Sequence, residues 1–517
     1  MTNIPQRNSQ VEVFQFLADP NSYPHRPASV ERHETHGALI FLAGEEAFKI
    51  KRAVSFPYMD FSTLERRRLM CEREVAINRP HAPDLYLGVV AITRESDGRL
   101  RLGGSGTAVE WAVHMRRFEE AMLLSNIARR GPLAAGLMER VADAVAVYHR
   151  AAPRLSGADG AKRLERDLVE LEQAFASAPD LFDPDRARGF ALRSRQHLKR
   201  VAACLRGRGE EGFLRRCHGD LHLRNIVLWR GAPVLFDAIE FNDEIASLDT
   251  LYDLAFLLMD LDRNGQRAAA NRVLGRYLWR SRAASDLDAL AALPLMLALR
   301  AGIRAMVAAD RTRQQAGDAA RRSSEEARAY FAAGDGYLDV PRPRLIAIGG
   351  LSGSGKSTLA AALAPHLAPA PGALHLRSDL ERKALFGAEP TERLPAHAYA
   401  SEVTKRVYAS IAEQARRALK AGHSVIADAV FGAPEERTAI EQVAADAGAA
   451  FDGVWLTAPA GELKRRVAQR VGDASDATAE VVEQQLGLDT GPITWPVLEA
   501  GGSSAATLAA ARARLAA

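Results

Sequence analysis

The stretch from 345 to 364 places the tightest constraint on the fold of this 517-residue chain. It begins with a short apolar run at 345–349, passes through the glycine-rich sequence 350–357, and continues as an alanine- and leucine-rich segment of helical character. The central residues match G-x-x-x-x-G-K-[ST] in the strand–loop–helix context that this pattern requires. Its glycines allow backbone N–H groups to converge on phosphate oxygens, and the following helix N-terminus adds positive potential. The sequence therefore predicts a cradle for nucleotide phosphates.

Individual side chains of this loop have expected roles. Lys356 is placed to reach the transferring phosphate of ATP, and the Ser357 hydroxyl to ligate Mg²⁺. We expect the whole loop to bind the nucleotide through Gly350, Ser352, Gly353, Ser354, Gly355, Lys356, Ser357 and Thr358.

A second phosphate-handling pattern lies upstream, at 218–225. Asp220 and Asn225 have four residues between them, which is the spacing of a kinase-type catalytic loop. The residues 226–236 form a predicted hairpin that returns Asp237 to the side of Asn225. We expect Asn225 and Asp237 to hold Mg²⁺ and Asp220 to accept the proton of an acceptor hydroxyl.

Residues 38–51 are predicted to form two strands around a turn at 44–46, and the ATP lysine of this upstream site should lie on the second of them. Lys49 and Lys51 alternate with apolar residues and share one face of that strand, so the pattern leaves both open. We favour Lys49, because it follows apolar residues as the lysine of Val-Ala-Ile-Lys does. The helical carboxylate expected to pair with it is Glu74, with Glu72 and Glu65 as alternatives.

The region from about 30 to 330 resembles the aminoglycoside phosphotransferase family, whose members are related to protein kinases and phosphorylate hydroxyl groups of small molecules. The resemblance rests on 218–225 and implies a two-lobed, protein kinase-like fold. Two departures stand out: Asp237 is followed by Ala-Ile instead of Phe-Gly, and 36–38 must serve where a Gly-x-Gly-x-x-Gly loop is usual. The segment 110–113 is the expected hinge that meets adenine.

The C-terminal part offers further candidates. Asp379 ends a predicted strand and reads either as the base for an acceptor hydroxyl or as a helix N-cap. Arg382, one helical turn later, is a candidate for holding substrate, and Asp428 ends an apolar strand in a position suited to Mg²⁺. A run of arginines at helical spacing is expected either to close over the nucleotide or to form a solvated face: Arg465, Arg466 and Arg470.

The segment from about 344 to 500 resembles the small P-loop kinases that include gluconate kinase, zeta toxin, chloramphenicol phosphotransferase and the polynucleotide 5′-kinases. Its Ser378-Asp379-x-x-Arg382 element looks like the acceptor-activating aspartate and phosphate-gripping arginine of the polynucleotide kinase and zeta-like members. The order of the two parts resembles a family of bacterial fusion proteins described as bifunctional phosphotransferase/ATP-binding proteins. The resemblance implies kinase chemistry and leaves the acceptor open.

Length and composition agree with more than one soluble domain. A chain of 517 residues exceeds one core, and glycines and prolines at 334–343 interrupt the helical pattern. We predict a kinase-like α+β domain at 1–332, a linker at 333–343 and a parallel α/β domain at 344–517. The start of the sequence lacks an apolar signal region and no apolar run reaches the ~20 residues that span a bilayer, so a cytoplasmic location is expected.

The leading hypothesis is a bifunctional enzyme that uses ATP and Mg²⁺ to phosphorylate small-molecule hydroxyl groups at two sites. One alternative makes the C-terminal domain a polynucleotide 5′-hydroxyl kinase or a zeta toxin-like module, although a net charge of +4 gives little support for nucleic acid. Another makes one domain a non-catalytic, nucleotide-binding regulator. The acceptors and the oligomeric state stay open.

Overall fold

A computed structural model describes residues 4–56, 58–156, 159–470 and 472–515. The chain divides into two compact units, Met1–Ala158 with Gly209–Asp260 and Asp159–Arg208 with Leu261–Ala517. These units are defined by packing, whereas the predicted domains 1–332 and 344–517 are defined by motifs, and the motif-based boundaries remain a prediction.

The first unit begins with a six-stranded antiparallel sheet of order β1-β2-β3-β8-β6-β7. The predicted pair of strands at 38–51 is present, and Gly44, with a φ of +61°, turns one strand into the next. The elements are α1 (Ile4–Ala18), β1 (Val30–Glu34), β2 (Ala38–Ala43), β3 (Glu46–Lys51), β4 (Ser55–Phe56), β5 (Met59–Asp60), α2 (Leu64–Asn78), β6 (Tyr86–Arg94), β7 (Leu100–Leu102), β8 (Thr107–Arg116), α3 (Leu124–Arg130) and α4 (Ala135–Ala151).

Two helices of the second unit interrupt the first, α5 (Gly160–Ala176) and α6 (Pro184–Glu210). The chain then forms the catalytic-loop region of the first unit. Its predicted hairpin is confirmed, because residues 226–229 pair with 232–235. The elements are β9 (Leu214–Arg216), β10 (Ile226–Trp229), β11 (Ala232–Leu235), α7 (Asp243–Ala246), β12 (Ser247–Asp249) and α8 (Thr250–Arg263).

The second unit contains the predicted parallel sheet, of order β14-β15-β13-β16-β17, and every neighbouring pair in it is parallel. Because the carboxyl ends of its strands meet at one edge, ligands of such sheets collect there. The elements are α9 (Arg267–Ser281), α10 (Ala284–Asp288), α11 (Leu293–Gln314), α12 (Gly317–Tyr337), β13 (Arg344–Gly350), α13 (Lys356–Leu363), β14 (Leu374–Arg377), α14 (Ser378–Leu385), α15 (Ser401–Lys420), β15 (Val425–Asp428), α16 (Pro434–Asp446), β16 (Ala450–Thr457), α17 (Ala460–Ala468), α18 (Ala479–Leu486), β17 (Val497–Glu499) and α19 (Ser504–Leu515).

The helix break expected at 334–336 is wrong. Helix α12 runs to Tyr337, and the irregular segment that precedes β13 is 338–343. Gly334 is needed for close packing, because an added Cβ would lie 3.0 Å from the Ala298 carbonyl oxygen on α11. Glycine costs ~1 kcal/mol relative to alanine inside a helix, and here it leaves room for the carbonyl oxygen of the neighbouring helix.

Among the described residues, no helix taken singly has the length and apolarity to cross a membrane, and one bent pair, Ala284–Ala291 with Leu293–Gln314, meets the criterion by length and composition.

Candidate active sites

In the first unit, Lys49 joins a helix to the catalytic loop region. Its Nζ lies 2.9 Å from Glu74 Oε1 on α2 and 2.5 Å from Asp237 Oδ1, just after β11. Burial alone would lower the pKa of Lys49, but the negative charges of Asp237 and Glu74 outweigh it and raise that pKa well above its ordinary value. Lys49 is therefore a fixed cation between the Glu74 and Asp237 carboxylates.

Lys51 points to the same side of β3 but has a different second partner. It pairs with Glu74 and with Glu240, and its side chain is 2% exposed. The rival carboxylates Glu65 and Glu72 both pair with Arg68 on the outer side of α2. The structure thus brings both lysines to Glu74, and it brings only Lys49 to Asp237.

The catalytic loop orients Asp220 through its neighbours. Asn225 Nδ2 donates to Asp220 Oδ2 at 3.0 Å and to the Asp220 carbonyl at 2.9 Å, and His222 Nε2 lies 3.2 Å from the same carboxylate. The Phe236 amide donates to the Asn225 carbonyl at 3.1 Å, so the hairpin returns Asp237 to this place as expected. Asp237 itself has a φ of +61°, and its amide donates to the Tyr86 hydroxyl at 3.1 Å.

A buried aspartate that the sequence motifs did not indicate, Asp253, binds the backbone of this loop. Asp253 on α8 is fully buried and accepts the amides of His218 at 3.2 Å and Gly219 at 2.9 Å. His149 Nε2 lies 3.1 Å from the same carboxylate. Its signal in the sequence is a lone aspartate within the apolar run 251–259. Asp253, His149 and Cys217 lie close enough together to hold a metal ion, but the two backbone amides already account for the position of the carboxylate.

The expected adenine hinge at 110–113 is wrong. These residues lie inside β8, which pairs with β3 on one side and β6 on the other, so their backbone groups serve the sheet. Glu110 is fully buried and pairs with Arg67 at 2.9 Å and with Gln10 at 2.8 Å. Glu110 is therefore part of an ion pair within the core and not part of a hinge.

In the second unit, backbone carbonyl groups of neighbouring elements pack closely against the glycine-rich loop. At Gly350 an added Cβ would meet the Leu456 carbonyl at 2.4 Å, and at Gly353 the Leu463 carbonyl at 2.5 Å, with φ values of +134° and +85°. Lys356 Nζ donates to the Leu351 carbonyl at 3.0 Å. The buried Ser354 hydroxyl has no hydrogen-bond partner among the described residues. These features form the phosphate cradle that the motif predicts.

One amide of this loop has a partner that the sequence did not indicate. Gln485 on α18 accepts from the Ser352 amide at 2.8 Å through Oε1. Nothing in the spacing of the two residues points to the contact, since they are far apart in the sequence. Gln485 therefore joins the candidate residues around the loop.

Asp428 ends β15, an inner strand of the parallel sheet that pairs with β13, the strand leading into the loop. His375 Nε2 lies 3.1 Å from Asp428 Oδ2, and Arg377 Nε lies 3.8 Å from it. Burial alone would raise the pKa of Asp428, but the hydrogen bond from His375 and the charges of Lys356 and Arg377 lower it to about 2. An ionised carboxylate at this place suits a hard cation such as Mg²⁺.

Asp379 lies in the first turn of α14, directly after β14. Its reading as an N-cap is wrong, because the N-cap residue is Arg377 and no side chain caps this helix. Burial raises the pKa of Asp379, and the negative charge of Asp428 adds to the rise, against the opposing charges of Arg377 and Lys356. A carboxyl group with a raised pKa in a site of this kind is a candidate proton acceptor.

The candidate arginines differ in their surroundings. Arg382 is buried and donates to the Ala398 carbonyl at 2.6 Å and to Thr404 Oγ1 at 3.2 Å, with its guanidinium over the ring of Tyr399. Arg465 and Arg466 both bind Glu462 on their own helix. Arg470 is exposed and acts electrostatically on Lys356 and Asp473. Of the predicted lid residues, Arg470 is the one whose charge reaches the loop.

Comparison with known proteins identifies both parts of the chain. A model described as "Phosphotransferase enzyme family" matches residues 116–293, and one described as "AAA domain" matches residues 345–489. The uncharacterized protein Rv2004c of Mycobacterium tuberculosis (strain ATCC 25618 / H37Rv) is 31% identical over 478 residues, which cover 89% of this chain and 91% of that protein. The chain belongs to the same family. Mb2027c of Mycobacterium bovis is a further uncharacterized member with the same identity and coverage.

Solved structures resemble each part separately. Wild-type aminoglycoside 2′-phosphotransferase-IIIa, as its GDP complex, covers 62% of this chain and 98% of its own, with 14% identity and a TM-score of 0.38. A gluconokinase from Sinorhizobium meliloti 1021 covers 34% of this chain and 94% of its own, with 21% identity and a TM-score of 0.25. The family matches confirm the predicted pair of domains: this family member is a kinase in which a phosphotransferase domain precedes a P-loop kinase domain.

Proposed function

We propose that each domain of this family member transfers the γ-phosphoryl group of ATP to a hydroxyl group of a small molecule, with Mg²⁺ at both sites. One observation carries the proposal. Each unit gathers a lysine, a carboxylate suited to a metal and a second carboxylate suited to accept a proton. Those are the parts that phosphoryl transfer requires, because catalysis here is positioning together with charge stabilisation.

At the first site, Asp237 and the side-chain oxygen of Asn225 offer hard oxygen ligands for Mg²⁺. Lys49 is the cation for the ATP phosphates, since it reaches the metal ligand Asp237 and is held by Glu74. Mg²⁺, when bound, offsets negative charge on the phosphate oxygens. Asp220 takes the proton of the acceptor hydroxyl while the oxygen of that hydroxyl bonds to the γ-phosphorus. The bond between the γ-phosphorus and the β–γ bridging oxygen breaks at the same time and releases ADP.

At the second site, the backbone amides of the loop and Lys356 bind the phosphates, and Ser357 and Asp428 are the ligands that would hold Mg²⁺. Asp379 accepts the proton of the acceptor hydroxyl, with its raised pKa making it a better proton acceptor than an ordinary aspartate. Arg470, whose charge already acts on Lys356, supplies further positive charge to the transferred group.

Two features support a small-molecule acceptor over a nucleic acid. The net charge of +4 over 517 residues is low for a protein that tracks a phosphate backbone. Arg382, which the polynucleotide kinase hypothesis needs for gripping phosphate, is buried and donates to Ala398 and Thr404. Phosphorylation of a small hydroxyl compound does not require Arg382 to bind a phosphate of the acceptor.

The test is transfer from γ-labelled ATP to a panel of sugars, amino alcohols, aminoglycosides and a 5′-hydroxyl oligonucleotide. The full chain is compared with Asp220→Asn, with Lys356→Ala and with both changes together. We expect label on small hydroxyl compounds, one set lost with each single change and no transfer by the double variant. Label that persists in the double variant contradicts the assignment of the site that should have produced it. Label on the oligonucleotide alone supports the alternative acceptor class for the second domain.

A further inference from the structure

A glutamate that has no part in the proposed reaction is buried on α14, the helix that carries Asp379. Glu381 is 2% exposed, and α15 supplies two donors to its carboxylate. Ser410 Oγ donates to Oε2 at 3.0 Å and Gln414 Nε2 donates to it at 2.6 Å. Burial of a carboxylate is costly unless a cation and hydrogen bonds compensate it.

The compensating cation comes from outside the P-loop kinase match. Arg282 Nη1 lies 2.9 Å from Glu381 Oε1 and Nη2 lies 3.1 Å from Oε2, which is a two-point contact. Both residues lie in the second unit, yet Arg282 falls within 116–293, the part that matches the phosphotransferase family. Arg282 directly follows α9 with a φ of +55°, a conformation that residues other than glycine rarely adopt.

Helix α9 makes further polar contacts along the same side of the P-loop kinase domain. Trp279 Nε1 donates to the Leu380 carbonyl at 3.2 Å, and Asn271 Nδ2 donates to the Ala373 carbonyl, just before β14, at 2.9 Å. At the outer end, Arg280 binds the exposed Glu389 with two contacts of 2.7 Å. Helix α9 and the residue that follows it therefore contact the chain just before β14 and α14 itself at Leu380 and Glu381, whereas the Arg280 contact lies beyond the end of α14.

We propose that Arg282 is a positioning residue for the second phosphoryl-transfer site. Residues two apart on a helix point about 200° away from each other, so the side of α14 that Arg282 holds through Glu381 is nearly opposite the side that presents Asp379. Fixing one side sets where the other side places its carboxylate. A misplacement of ~1 Å costs about a hundredfold in rate, so the phosphotransferase segment sets the activity of the P-loop kinase. This kinetic consequence rests on the proposed role of Asp379, whereas the support of α14 does not.

The structural test is hydrogen–deuterium exchange of the full chain, comparing Arg282→Gln with the matched control Arg280→Gln on the same helix. For Arg282→Gln we expect amide exchange in peptides covering 378–386 to rise about tenfold, while peptides covering 356–363 in the glycine-loop helix keep their protection. The control should leave both sets unchanged. Unchanged exchange at 378–386, or an equal rise in both peptides, overturns the proposal.

The kinetic test measures Lys356-dependent ATP turnover with the same changes in the Asp220→Asn background, and Mg·ATP affinity with the same changes in the Lys49→Met background. Arg282→Gln should lower turnover about tenfold and leave the Kd for Mg·ATP within about twofold, because Arg282 acts on α14 alone. Arg282→Lys keeps the charge without the two-point contact, so its turnover should lie between that of the parent and that of Arg282→Gln. Turnover equal to that of the Arg280→Gln control overturns the positioning role. An absence of Lys356-dependent turnover in the parent contradicts the proposed function instead, and the exchange result then decides the support of α14 independently.

Discussion

Lys49 Nζ on β3 lies 2.5 Å from Asp237 Oδ1, directly after the β10–β11 hairpin. The contact brings the proposed phosphate-binding cation next to the proposed metal ligand. A phosphate bound to the metal would have to lie beside both groups. Neighbouring Lys51 is equally close in the sequence but reaches Glu240 instead. We therefore expect the two lysines on this strand face to have separate tasks, the first in the reaction and the second in the fold.

Replacing these lysines one at a time separates the two tasks. Lys49→Met should lower turnover at the first site by more than about a hundredfold, because the cation for the phosphates is lost, with a small effect on stability. Lys51→Met should instead lower the free energy of unfolding by about 3 kcal/mol, because it leaves Glu240 buried without its cation. Turnover in the Lys356→Ala background and denaturant unfolding check the pair. The reverse pattern would show that Lys51 is the ATP lysine.

Asp253→Asn tests the support beneath the catalytic loop. The substitution keeps the shape but replaces one accepting oxygen by a donor, so one of the amides of His218 and Gly219 loses its acceptor at a cost of about 1–3 kcal/mol. We expect turnover at the first site to fall by about 5- to 150-fold, which corresponds to that free energy, while the second site is unaffected. Equal loss at both sites would point to general unfolding and against a local role for Asp253.

Gly353→Ala tests the packing of the glycine-rich loop. The new methyl group would meet the Leu463 carbonyl at 2.5 Å in a backbone with a φ of +85°, so the loop must move. Binding of Mg·ATP at the second site should be lost, as measured by titration in a Lys49→Met background. Gly336→Ala is the control, since its Cβ meets nothing within 4 Å inside α12, and we expect it to stabilise the helix by up to ~1 kcal/mol. Unchanged ATP affinity in Gly353→Ala would contradict the cradle.

The pH dependence of the second site follows from Asp379. Burial and the charge of Asp428 raise its pKa, and the ionised form is the proton acceptor. Turnover should therefore fall as the pH drops through this raised pKa. The apparent pKa on the acid side of the pH–rate profile should lie above the ordinary aspartate value of about 3.9. The measurement is a pH–rate profile in the Asp220→Asn background. Asp379→Asn should remove most turnover; full activity in that variant would show that another group accepts the proton.

The sequence predicted those parts of the sites that are contiguous. The residues 350–357 and 218–225 carry their own backbone geometry, so their spacing alone places Lys356, Asp220 and Asn225. The short hairpin that follows brings Asp237 back beside Asn225, because a turn of two residues fixes how the two strands pair.

The failures concern partners that are distant in the sequence. Lys49 and Lys51 share a face, and only the positions of Asp237 and Glu240 distinguish them. Glu110 looked like part of a hinge because its partner Arg67 lies on another element. Asp253 and Gln485 act through hydrogen bonds from backbone amides that are distant in the sequence, and the spacing of the residues does not indicate these contacts.

The central claim is that one chain holds two separate Mg·ATP sites. Calorimetric titration of the full chain with a non-hydrolysable ATP analogue and Mg²⁺ tests it most directly. We predict two bound nucleotides per chain, one in Lys49→Met, one in Lys356→Ala and none when both changes are combined. A single bound nucleotide in the unaltered chain, or a stoichiometry that neither substitution lowers, would contradict the account.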